Sequence, residues 1–268
     1  MAKVVFITGG SSGIGKAVGL FLQKKGYTVY GTSRNPERIA DEVPFLLLKV
    51  DVTNPSSIVQ AIQEILLKEG RLDVAINNAG VGITGPIEET PDEEIKNAFD
   101  TNYYGPLQVM KAVMPQMRKQ GSGHIINVTS IAAYMGLPYR GIYSATKAAL
   151  EITTEAYRME VKQFGVEIIN IAPGDFATNI AAGRYHAPVL DESPYKEAYG
   201  NTLKMMDAHV EEGEDPLQMA EVIYSIINNS SPKIHYKVGA FMQKFSVVLK
   251  RILPDRMYER MLMKHYKL

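Results

Sequence analysis

The stretch GIYSATKAAL, residues 141–150, sets Tyr143 and Lys147 four positions apart in a run with a helical pattern. On a helix, positions i and i+4 share a face, with Cβ atoms roughly 5–6 Å apart. An ammonium that close favours the phenolate and pulls a tyrosine down from its usual pKa of about 10. Such a phenol can give or take a proton near neutral pH. The same spacing also describes an ordinary exposed Tyr–Lys pair, so the rest of the chain must decide between the two.

A second candidate is the glycine loop TGGSSGIG, residues 8–15, set between an apolar run and an amphipathic one. Gly9, Gly13 and Gly15 permit a tight turn and a close approach of backbone to phosphate. The helix start around Ser11, Ser12 and Ile14 offers unpaired N–H groups to a pyrophosphate. The spacing is T-G-x-x-x-G-x-G, not the commoner G-x-G-x-x-G. The next apolar run ends in GTSRN. Where many dinucleotide folds place an acid for the ribose hydroxyls, this chain has Arg34, whose fork suits a 2′-phosphate. Ser11 can add a hydroxyl contact. The expected cofactor is therefore NADP(H) in preference to NAD(H). Asp51 and Val52, after the third apolar run, suit an adenine edge.

These residues need a scaffold, and the pattern of the chain supplies one. Short apolar runs at 3–8, 27–33, 45–52, 72–80, 124–130, 166–174 and 233–239 read as strands. Between them, 13–26, 56–70, 92–119, 143–165 and 216–228 read as helices, with an interruption near Gly105–Pro106. Alternation of this kind predicts an α/β fold, a doubly wound, Rossmann-like parallel sheet in a single domain with a helical C-terminal extension. Ligands then bind beyond the carboxyl ends of the strands, which is where the loops at 8–15, 33–35, 51–52, 77–82, 130 and 173–178 fall. Residues 1–236 form the expected catalytic domain, with a loop-like, mobile substrate segment carrying short helices at about 179–214; residues 237–268 form a basic amphipathic helical tail.

The 268 residues are 46% hydrophobic and 22% charged, enough for a sizeable core. Net charge is zero, which gives no basis for a nucleic-acid partner. There is no cysteine and the five histidines are scattered, so no metal site is expected. Without a signal peptide or an apolar run long enough to span a bilayer, a cytoplasmic protein is expected.

Together these residues resemble the short-chain dehydrogenase/reductase family over about residues 3–180, in order and in register. TGGSSGIG is similar to its cofactor loop. NNAG, residues 77–80 with Asn78, Ala79 and Gly80, is similar to its fourth-strand motif. Asn102 in FDTNYYG, Ser130 in NVTSIAA, and the Tyr143/Lys147 pair match its catalytic positions. PGDFAT, with Pro173, Gly174, Phe176 and Thr178, matches its nicotinamide-flanking segment. The resemblance implies that Tyr143 is the acid for ketone reduction and the base for alcohol oxidation. It implies that Lys147 lowers the Tyr143 pKa and holds the ribose hydroxyls, that Ser130 bonds the substrate oxygen, and that Asn102 holds a water linking Lys147 to solvent. It also implies a homodimer or homotetramer.

Near the expected site the sequence is mostly apolar, with Met135, Leu137, Tyr139 and Ile180 joining Ser130 as candidate substrate contacts. Such a lining suits a small hydrophobic carbonyl or alcohol, and the stretches TSRNPE, GVGITGPIEE and YRGIYSATKAAL resemble family members acting on steroids, retinoids or other lipid-like alcohols and ketones. A 3-oxoacyl-carrier-protein or other small-ketone reductase is the competing enzyme, and a non-catalytic NADP(H)-binding sensor or scaffold is the competing class. The tail holds eight Lys or Arg against Asp255 and Glu259, with apolar residues at helical spacing from Phe241 to Leu253. Such a segment at 240–268 can meet an anionic membrane, or it can pack on its own domain or on a second subunit.

Overall fold

The computed structural model describes residues 2–39, 42–177, 183–211 and 213–268. Among the described residues, seven parallel strands form one sheet in the order β3-β2-β1-β4-β6-β7-β9. They are β1 (Val4–Ile7), β2 (Thr28–Ser33), β3 (Leu46–Lys49), β4 (Val74–Asn77), β6 (Gly123–Val128), β7 (Val166–Pro173) and β9 (His235–Val238). The order reverses direction beside β1, which makes the sheet doubly wound and Rossmann-like.

The strands are continuous apolar runs because both faces of the sheet are covered. Alternate residues serve opposite cores. Val4 and Phe6 of β1 pack with Ala75, Ile125 and Ile168 on the face of α2 (Pro55–Glu69), α4 (Gly105–Gln120) and α5 (Gly141–Val161). Val5 and Ile7 pack with Ile76, Ile126 and Ile169 against α1 (Gly13–Lys24) and α7 (Leu217–Ile227) on the other. The helix ends follow local chemistry. In α2, Asn54 accepts from the Ser56 N–H, Pro55 fills the first turn, and Gly70 closes the helix in the left-handed region.

Three features depart from the expected elements. The 92–119 run divides into α3 (Asp92–Phe99) and α4 through one π-helical turn, Asp100–Tyr104, that carries Asn102. A small second sheet pairs β5 (Ile83–Thr84) with β8 (Tyr185–His186). The segment expected to be mobile with short helices at about 179–214 holds one longer helix of 16 residues, α6 (Lys196–Glu211). Buried Tyr199 anchors that helix, its one hydroxyl proton shared between the Ala187 and Thr84 carbonyls at 3.0 and 3.1 Å. A mainly polar helix with one anchored face gives little periodic signal.

The tail forms α8 (Phe241–Ile252) and α9 (Asp255–Tyr266), broken at Pro254. Val247 and Tyr258 are buried with Ile131 and Met135, so both helices pack on the domain just past β6. Among the described residues, no helix is long and apolar enough to cross a membrane.

Candidate active site

Two adjoining cavities lie at the carboxyl ends of the strands. The larger, about 720 Å³, is lined by Gly9, Ser11, Ser12, Gly13, Ile14, Arg34, Asp51, Val52, Asn78, Ala79, Gly80, Lys147 and Pro173. The smaller, about 70 Å³, is lined by Ser130, Gly174, Phe176, Arg140, Arg184 and Asp175 among others. Tyr143 lines both. Thr178 and Ile180 lie outside the described residues.

The floor of the larger cavity is built by the first strand end against the fourth. Thr8 Oγ1 accepts from the Asn78 and Ala79 N–H groups, both at 3.0 Å, while Asn78 Nδ2 donates to the Thr8 and Gly9 carbonyls. Gly9 has φ 63, a left-handed conformation that strains any residue with a Cβ. Gly15 does not line the cavity but sits behind the loop. A Cβ there would run into the Gly9 carbonyl and lie 2.5 Å from Asn78 Nδ2. The loop therefore has backbone amides at the start of α1 facing a space of dinucleotide size, which fits a pyrophosphate. Arg34 is exposed on this cavity's wall, just past β2.

Tyr143 and Lys147 are both buried on the first turns of α5. Burial is the largest influence on Tyr143 and pushes its phenol up; Arg140, the Ser130 hydroxyl and Arg184 oppose that shift. The cations facing the phenol are thus two arginines, Arg140 lying over its ring at 5.7 Å. The expected depression by Lys147 is not what this geometry gives. The Lys147 ammonium donates instead to the Val128 carbonyl at 3.0 Å, and burial pushes it down to about 8. Ser130 caps a short turn through Ala132 N–H. Asn102 is fully buried. It accepts from Val81 N–H at 2.8 Å and donates to the Val81 carbonyl and to Thr146, so its side chain fixes the turn after Gly80.

None of the three described apolar candidates for substrate contact lines the smaller cavity, although Leu137 packs against Tyr143 and Ile83, which do. Met135 is buried under the tail against Tyr258, and Leu137 packs beside the same cluster. Tyr139 tilts against Tyr199. Tail and α6 cover these residues, and the small cavity is lined instead by Ile14, Ile83 and Phe176 together with Arg140, Arg184 and Asp175. The arginines come from irregular segments, where no periodicity marks them.

A further group was within reach of the spacing rule. Glu151 lies one helical turn beyond Lys147, on the same face. It is buried and accepts from Thr129, from Asn170 Nδ2 at 2.9 Å and from His235 Nδ1 at 2.8 Å. Its charge opposes the downward shift of Lys147. The hydrogen bond to Glu151 is the main cause that raises His235, with Glu155 on the other ring nitrogen at 3.0 Å. A histidine raised above its unfolded value near 6.5 contributes stability that is full below that pH and is lost as pH rises through the folded pKa. His235→Gln should therefore cost more melting temperature at pH 6 than at pH 9. An equal loss at both would contradict the ion pair.

Comparison with known proteins agrees with this arrangement. The sequence profile of the family described as short chain dehydrogenase matches residues 3–188. A 3-ketodihydrosphingosine reductase of Bacteroides thetaiotaomicron is 38% identical over 258 residues, 96% of this chain and 95% of that protein. A short-chain dehydrogenase structure from Streptomyces avermitilis superposes with TM-score 0.84 at 29% identity, covering 100% of this chain and 97% of that one. The NADP-bound structure of ElxO matches with TM-score 0.73 at 29% identity over 89% of this chain and 97% of that one. A Burkholderia phymatum member of the same fold, 23% identical with TM-score 0.80 over 93% of each chain, holds NAD.

Proposed function

This chain belongs to the short-chain dehydrogenase family and is an oxidoreductase acting on CH–OH groups; from that premise we propose that it interconverts a lipid-like ketone and its secondary alcohol with NADP(H). The observation that carries the proposal is the position of Tyr143, which lines both the larger cavity and the smaller one. A proton donor at that junction would stand between a nicotinamide held in the larger cavity and a carbonyl held in the smaller one. The cofactor supplies the hydride. Tyr143 gives the carbonyl oxygen its proton, Ser130 steadies the charge on that oxygen, and Lys147 and Asn102 hold the turn and the charge behind them.

Arg34 supports NADP(H), since its guanidinium is available on the cavity wall for a 2′-phosphate. The smaller cavity supports an amphiphile over a purely apolar molecule, because charged Arg140, Arg184 and Asp175 share it with Ile14, Ile83 and Phe176. The reacting carbonyl then lies near a polar end, with an apolar chain beyond. The similarity to the Bacteroides 3-ketodihydrosphingosine reductase points the same way. A homodimer or homotetramer belongs to this reading, supported by exposed Ile152 and Met159 on α5. So do a cytoplasmic location and peripheral membrane contact through 240–268.

The test is oxidation of NADPH and of NADH against long-chain keto-amphiphiles, steroid ketones, retinal, carrier-linked β-ketones and small polar ketones. Turnover is expected on the long-chain amphiphiles, with NADPH favoured. Turnover only on carrier-linked or small ketones would overturn the substrate reading. Arg34→Asp should weaken NADPH roughly 10- to 100-fold, the scale of a lost charge-assisted contact, and leave NADH nearly unchanged. An equal effect on both cofactors would remove Arg34 from the phosphate site.

A further inference from the structure

Helix α8 faces the domain with apolar Val247 and Leu249 and with half-buried Gln243 and Ser246. Gln243 donates to the Asp175 carboxylate at 2.6 Å and accepts from the Asp175 N–H at 3.2 Å. The Ser246 hydroxyl donates to the Gln243 carbonyl and lies against Met135, and Val247 is buried beside them. A second, exposed apolar side points the other way. Phe241, Met242, Phe245, Val248 and Ile252 are 71, 68, 37, 47 and 67% exposed. Their spacing puts them in one stripe along the helix, and the rings of Phe241 and Phe245 stack at 5.7 Å. Single exposed apolar residues are ordinary, but a contiguous outward stripe on a helix already anchored through its other side marks a surface that meets something apolar.

Charge selects the occupant. The tail bears eight Lys or Arg and only Asp255 and Glu259. Arg251, Arg256, Arg260, Lys264 and Lys267 are exposed. Two copies joined through this stripe would set like-charged tails face to face. An anionic lipid surface offers hydrocarbon to the stripe and opposite charge to its border.

We propose that the outward face of α8 docks on an anionic membrane and brings the catalytic cleft to the lipid that holds its substrate. The docking rests on the stripe and the charge alone; the delivery of substrate rests on the lipid-like reading above. Gln243 ties α8 directly to Asp175 in the cleft wall, and Tyr266 of α9 faces Arg140 of the same wall. A docked α8 thus holds that wall about one helix diameter, roughly 10–12 Å, from the lipid.

The experiment is flotation of the full-length chain with phosphatidylcholine vesicles, with and without phosphatidylglycerol. Cofactor binding and turnover of a water-soluble ketone are measured alongside. The wild type should float only with the anionic vesicles and be released by high salt. Phe241→Ser/Phe245→Ser should reduce flotation at least about tenfold, and Lys244→Glu/Arg251→Glu should do the same, with melting temperature and soluble-ketone turnover kept. Wild-type protein that binds cofactor yet stays at the bottom would overturn the docking. So would double variants that float as well as wild type, or a dimer that the phenylalanine variant dissociates. Protein that floats but turns over no apolar ketone would leave the docking standing and remove the substrate reading.

Discussion

Replacing Tyr143 by Phe should lower kcat for ketone reduction roughly 10²- to 10⁴-fold, the usual contribution of a positioned general acid. That is about 3–5 kcal/mol of transition-state stabilisation. NADPH affinity should stay nearly constant, because the ring keeps its place: Arg140 lies over its face and the side chain is buried on α5. What disappears is one hydroxyl facing Ser130. The direction of its pKa matters here. Burial outweighs the arginines and raises the phenol, so the group stays protonated through neutral pH and serves as an acid toward a reduced carbonyl. Stopped-flow hydride transfer with titrated NADPH separates the two quantities. Retained turnover, or a parallel loss of cofactor binding, would contradict the assigned role.

Gly15→Ala should abolish cofactor binding while adding only one methyl group. The new Cβ would collide with the Gly9 carbonyl and crowd Asn78 Nδ2, the atom that clamps the loop to the strand β4 turn. Neither neighbour is free to yield. Gly9 is held in the left-handed region, and its N–H donates to Thr32 Oγ1 at 3.0 Å. The loop must open, and the backbone amides that face the cavity lose their geometry. NADPH affinity should fall more than about 100-fold, a cost in the range of overpacking a tight site. Gly136→Ala is the matched control, since a Cβ there meets nothing within 4 Å. Calorimetric titration of both variants decides it. Wild-type affinity in Gly15→Ala would mean that the loop does not hold the pyrophosphate.

The sheet was legible because a parallel strand buried on both faces leaves a continuous apolar run, and seven such runs alternate with helical patterns. The glycine loop, Arg34, Asp51 and the Asn78–Gly80 turn were legible because each follows a strand, and they border one cavity, Gly15 alone of the predicted loop residues standing behind it. Tyr143 and Lys147 were legible from helical spacing. Glu151 obeys the same spacing one turn later, but a carboxylate there reads as solvated until β7, β9 and Thr129 close over it. The cleft arginines were hidden for a different reason. Arg140 precedes a helix and Arg184 precedes a two-residue strand, so no period announces them. The tail shows the limit most clearly. Its apolar stripe is plain in the sequence, yet a stripe does not say which way it faces. Gln243, Val247 and Leu249, on the inward side, fix α8 with that stripe outward.

The most direct test of the central claim is to follow deuterium from NADPH labelled at its transferable position into a long-chain keto-amphiphile presented in anionic vesicles. One deuterium on the carbinol carbon of the product, absent with Tyr143→Phe, is the predicted result. A product without label, or label transferred only to small polar or carrier-linked ketones, would contradict the account.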